Sequence, residues 1–138
     1  MLVAAMILGL VGGITYFVGG CAGTISWPDG TAPWWVISLI PVGGVGAMGA
    51  SMARTKPTMA GVVMLIAAAS AMGIGFASLP DFIERQSTVG GLPAEYLSVL
   101  VPAHALGSNI LVLPVSLLTL IIGGMLALSS GKKTGAED

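Results

Sequence analysis

Stretches free of Asp, Glu, Lys and Arg dominate the chain: Met1 to about Gly20, Trp34 to Ala53, Thr58 to Leu79, and about Ala105 to Leu128. A helix rising about 1.5 Å per residue needs roughly 20 apolar residues to cross a hydrocarbon core of about 30 Å. All four stretches are long enough. A charge at the centre of such a helix costs about 2.5–3.5 kcal/mol on insertion, so its exclusion from all four is what plain spans require. The pattern predicts an all-α, polytopic membrane protein with four transmembrane helices. They form a single domain over residues 1–128, followed by a short polar tail at 129–138.

The polar positions between the stretches orient them. Arg54 and Lys56 sit in the tight turn after the second span, and Lys132 and Lys133 follow the fourth. An even number of spans separates the two sites, so both lie on one side. The excess of Lys and Arg makes that side cytoplasmic. The other side carries Asp29, Asp81, Glu84 and Glu95 against Arg85 alone. Both termini are then expected in the cytoplasm, in a prokaryotic plasma membrane. The first span lacks the basic segment that opens a secretory signal. It is therefore expected to stay as a span, although Val18-Gly19-Gly20-Cys21 is loosely similar to a lipoprotein cleavage box.

Composition narrows the class further. Of 138 residues, 55% are hydrophobic and 8% charged, against about 25% charged in soluble domains, and the mean hydropathy is +0.97. A water-soluble globular protein is excluded. Net charge is −1 without a basic run, so no electrostatic footprint for nucleic acid exists.

Small residues dictate how the spans should pack, because helices in lipid associate by close approach rather than by hydrophobic expulsion. Ala5, Gly9 and Gly13 recur at four-residue spacing in the first span. The inner half of the second is thin (Gly43, Gly44, Gly46, Ala47, Gly49, Ala50), and so is the outer half of the third (Ala67 to Ala71, Gly73, Gly75). The expected packing positions are Gly9, Gly13, Gly43, Gly46, Ala50, Ala67, Ala71 and Gly75. The second and third spans are expected to form the most intimate antiparallel hairpin, bulk against hollow, with Gly46 and Gly73 as its sensitive points. Pro57 suits the first turn of the third span, and Pro41 and Pro114 are expected to kink their spans.

In the loop from Pro80 to Pro102, the segments Pro80–Arg85 and Pro93–Leu100 each open with a proline and an acid. This predicts two short interfacial helices. All the aromatics fall on the outer side. Trp27, Trp34, Trp35, Phe82 and Tyr96 are expected at an outer surface, either as a headgroup belt or as anchors for a partner.

Candidate chemistry is sparse. His104 is the sole histidine and can supply an axial ligand to a haem or chlorin. Bis-histidine ligation within the chain is thereby excluded, which leaves His with Met; the sequence requires no cofactor. Asn109 is the most polar residue inside a span, and Ser70 or Ser78 would satisfy it. No metal cluster, nucleophilic set or intramembrane carboxylate is present, so catalysis is not expected. The single Cys21 cannot form an internal disulfide.

The turn Arg54-Thr55-Lys56-Pro57, with the following Thr58-Met59-Ala60-Gly61-Val62-Val63-Met64-Leu65-Ile66-Ala67, resembles the corresponding part of small four-span bacterial membrane proteins of unknown function. The resemblance covers about a tenth of the chain and implies an arrangement but no activity. The expected function is a non-catalytic accessory or structural subunit of a larger membrane complex, with the lipid bilayer and other membrane subunits as partners. A small self-associating channel or carrier, and a cofactor-holding subunit of an electron-transfer or photosynthetic complex, are the alternatives.

Overall fold

The computed structural model describes residues 1–26, 31–85 and 115–134. Helix α1 spans Leu2–Ile25, α2 Trp34–Ser51, α3 Pro57–Ala77, α4 Leu79–Arg85 and α5 Val115–Thr134. A 3₁₀ turn, Met52–Arg54, extends α2. Four of these helices are long and apolar enough to cross a membrane: Leu2–Ile25, Trp34–Arg54, Pro57–Ala77 and Val115–Lys132.

Local chemistry explains the boundaries. Pro33 is extended (φ −63°, ψ 149°) and starts α2 without a side-chain cap. The turn into α3 is closed by the amides of Thr55 and Lys56, which both donate to the carbonyl of Met52 at 3.1 and 2.9 Å. Pro57 then occupies the first turn of α3, where its missing N–H leaves no helical bond unmade. At the far end of α3 the Ser78 amide donates to the Ile74 carbonyl at 3.0 Å, and the Ser78 carbonyl accepts from Phe82 at 2.9 Å. One helix is thus handed directly to the next. Asp81 lies in the first turn of α4, on the favourable end of its dipole.

The long helices pack in the cyclic order α1, α2, α3, α5. The glycines give the direction of every pair. On α1, Gly9 faces Ala50 and Gly20 faces Ile40 and Val36 of α2. On α5, Gly123 faces Ala5 and Gly9, and Ser116 and Leu120 face Gly12. Gly61 of α3 meets Gly124 and Leu128 of α5, and Gly131 meets Thr58, while Gly49 of α2 meets Val63 and Met64 of α3. Neighbours are therefore antiparallel throughout. Met1, Arg54, Lys56 and Lys132 collect at one end of the bundle, and Trp34, Asp81 and Glu84 at the other.

The tightest seam differs from the expected one. A Cβ on Gly43 would fall on the amide nitrogen of Phe17 and stand 2.6 Å from the Gly13 carbonyl oxygen. One on Gly13 would fall on the Ala47 nitrogen and stand 2.9 Å from the Gly43 carbonyl oxygen. Helix backbones touch here, and the touching pair is α1 with α2, not α2 with α3. Gly46 meets Leu120 of α5 rather than α3, and among the described residues nothing lies within 4 Å of the would-be Cβ of Gly73, so Gly73 is not a packing point between the described helices. The reason is register: Gly9 and Gly13 of α1 match the thin half of α2 run antiparallel, whereas α3 offers Val63 and Met64 at that depth. Ala67 and Ala71 are buried in the core with Ala50, Met64 and Leu120, and Gly75 is buried on α3.

Other boundaries shift. α1 runs five residues beyond Gly20, because the Gly19–Gly20 pair is a packing surface and not a stop. Ser129–Thr134, expected in the polar tail, continue α5. Residues 105–114 of the expected fourth span, Pro114 among them, lie outside the described residues, as does the second short helix expected at Pro93–Leu100. Pro41 lies inside α2 with its ring exposed.

The contacts predict which glycines tolerate a methyl group. Gly13→Ala and Gly43→Ala should each lower unfolding free energy in mixed micelles by about 1–3 kcal/mol, the usual range for overpacking. Gly44→Ala and Gly73→Ala, with no described atom within 4 Å of the would-be Cβ, should stay within about 0.5 kcal/mol of wild type. Equal losses at all four positions would contradict this packing.

Candidate functional site

The acidic end of the bundle carries the most specific side-chain structure among the described residues. Helix α4 folds back from α3 onto the start of α2. The Trp34 indole Nε1–H donates to Asp81 Oδ2 at 3.0 Å. Beside it, Trp35 and Phe82 meet edge to face, with ring centroids 6.2 Å apart and planes at 77°, a favoured aromatic geometry. Val36 and Ile74 complete this cluster.

The expected outer surface therefore divides. Trp34 is half-exposed, with Phe17 and Phe76 also outward. Trp35 and Phe82 are 4% and 2% exposed, so they hold α4 to α2 and present no face to a partner. Consecutive residues on a helix point about 100° apart, which is why adjacent tryptophans separate into an outward and an inward ring. Trp27 and Tyr96 lie outside the described residues.

Tyr16 departs furthest from its expected role in an aromatic belt. It is fully buried, and its hydroxyl has no hydrogen-bond partner among the described residues. Gly9, Gly13, Tyr16, Gly20 and Gly23 recur at four- and three-residue steps, which is one helix face. That register was the sequence signal for an inward tyrosine.

His104 and Asn109 lie outside the described residues. Of the two serines proposed to satisfy Asn109, Ser70 is exposed, while Ser78 is buried and donates to the Ile74 carbonyl at 2.7 Å, with the Gly75 carbonyl at 3.2 Å. Among the described residues no group of three or more His, Cys, Asp or Glu could hold a metal ion. Hydroxyls within the spans mostly turn back on their own helices: Thr15 donates to Val11, Thr24 to Gly20, and Ser38 to Trp34. This is the usual way a helix in lipid satisfies them. The arrangement can clamp helices and anchor at an interface.

Comparison with protein-family models, with curated proteins and with solved structures finds no match.

Two substitutions separate the roles of the buried rings. Tyr16→Phe removes a hydroxyl that is unpaired among the described residues, and burial of such a group costs about 1–3 kcal/mol. It should leave stability unchanged or raise it by about 1 kcal/mol; a loss of that size would mean the hydroxyl is bonded in the membrane. Phe82→Ala should cost about 3 kcal/mol and raise tryptophan exposure to aqueous quenchers, as α4 releases from α2. Unchanged quenching would contradict the clamp.

Proposed function

We propose that this chain is a non-catalytic subunit of a larger integral membrane assembly. It spans a prokaryotic plasma membrane four times, with the basic end and both termini in the cytoplasm. The observation that carries the reading is that, among the described residues, the interior is apolar and tightly filled and the exterior is apolar as well. Ala, Gly, Leu and Met fill the space between the described helices, and the wholly buried polar residues are few: Tyr16, Ser78 and Ser116. Outward faces carry Val3, Ile7, Val11 and Ile14 on α1, Ile66 on α3 and Ile122 on α5. Helices that are apolar on their outward faces have their contacts with lipid or with other helices in lipid.

The channel reading gains less support. A path for a solute needs polar groups facing it, and the outward Thr15, Ser38 and Ser51 donate their hydroxyl protons to their own helices. The cofactor reading depends on His104, outside the described residues.

Purification of the native protein from its own membranes in a gentle polymer, followed by mass spectrometry and an absorption spectrum, tests the proposal. The expected result is stoichiometric foreign membrane subunits and no visible absorption from this chain. A colourless homo-oligomer alone would overturn the proposal in favour of a channel or carrier. A stoichiometric chromophore lost on His104→Ala would overturn it in favour of a cofactor-holding subunit.

A further inference from the structure

At the basic end, helices α3 and α5 are drawn together where Gly131 packs on Thr58. That contact fixes the relation between two charged segments. Lys132 follows Gly131, and Arg54 and Lys56 precede Thr58 in the turn that begins α3; all three cations are exposed. The described carboxylates, Asp81 and Glu84, sit on α4 at the opposite end, and Glu137 and Asp138 lie outside the described residues. The first turn of α3 contains no acid, and no side chain caps it, so the positive end of its dipole adds to the same field.

Below these cations the surface is apolar on both helices. On α5 the exposed residues Leu118, Ile122, Met125, Ser129 and Lys132 follow four- and three-residue steps and so form one outward stripe. Lys132 stands at its head because α5 runs on to Thr134. On α3, Met59, Val62 and Ile66 form the matching stripe, beginning just past Lys56. A seam with cations at the membrane surface and apolar stripes beneath them matches one kind of molecule in both charge and polarity. Basic groups between transmembrane helices on the cytoplasmic side attract anionic headgroups.

We propose that the α3–α5 seam holds an anionic phospholipid, with its phosphate among Arg54, Lys56 and Lys132 and its acyl chains along the two outward stripes. The proposal rests on the membrane-spanning reading above, and deepens it by naming a lipid partner. The same contact gives Gly131 its role: any side chain there would push α5 from Thr58 and separate Lys132 from Lys56.

Native mass spectrometry of the full chain in detergent, titrated with dioleoyl phosphatidylglycerol or dioleoyl phosphatidylcholine, tests this directly. Wild type should bind phosphatidylglycerol about tenfold or more tightly than phosphatidylcholine. Lys56→Gln and Lys132→Gln should each weaken phosphatidylglycerol binding about fivefold, without changing phosphatidylcholine binding. Arg85→Gln, at the opposite end, should have no effect, and circular dichroism checks that each variant remains helical. Equal affinity for the two lipids, or an equal loss in Arg85→Gln, would overturn the site. Displacement of the lipid by free glycerol phosphate at equal concentration would overturn the assignment to a phospholipid. Recovery of the chain in alkali-washed membranes is read separately: its failure falls on the membrane reading, whereas loss of selectivity in a membrane-bound chain falls on the lipid site alone.

Discussion

Contact between the backbones of α1 and α2 at Gly13 and Gly43 is the constraint on which the rest of the bundle depends. In water, two apolar helices are pressed together by expulsion from solvent; in lipid that force is absent, and close packing takes its place. Dispersion falls steeply with separation, so a seam in which the would-be Cβ of each glycine falls on the other helix's backbone gathers far more contact than one held apart by branched side chains. The other pairings follow from the faces left over. Gly9 and Gly12 of α1 receive α5 at Gly123, Ser116 and Leu120, and α3 closes the ring against α2 and α5. The start of α2, fixed by α1 through Gly20, carries Trp34 and Trp35 to the place where α4 is clamped.

The two ends of the molecule do different physical work. At the acidic end the aromatic rings are largely consumed in holding α4, with the Trp34–Asp81 hydrogen bond and the Trp35–Phe82 contact side by side. At the basic end the charges are left facing outward, and helical order continues past the apolar window so that Lys132 stands at a defined point. This asymmetry agrees with a chain oriented by its lysines and arginines.

Much of the architecture was legible in the sequence because exclusion of charge over some twenty residues is a property of composition, insensitive to local detail. The second and third spans were placed to within a few residues, Pro57 was recognised as a first-turn residue, and the short helix opening at Pro80 was anticipated from its proline and acid. Helix partners were less legible. Gly43 and Gly46 form a thin surface whatever faces it, and proximity along the chain pointed to α3. The better match to the Gly9–Gly13 spacing of α1 is visible only when the antiparallel pair is laid side by side. Tyr16 was read by depth as a belt aromatic, although its register with Gly9, Gly13 and Gly20 turns it inward. For the site, depth alone makes Trp34 and Trp35 equivalent; the step of about 100° between them turns one ring outward and the other inward, and Phe82 of α4 meets the inward one.

The central claim, that α1 and α2 are held at backbone contact by Gly13 and Gly43, is tested most directly by a double-mutant cycle. Gly13→Ala, Gly43→Ala and the double variant would be compared by unfolding free energy in mixed micelles. Either methyl group alone must push the same two helices apart, so the second should cost less once the first is present. The double variant should fall short of the sum of the singles by about 1 kcal/mol or more, within the range of coupling seen for residues in contact. Additivity to within about 0.3–0.5 kcal/mol, the behaviour of independent sites, would contradict the account.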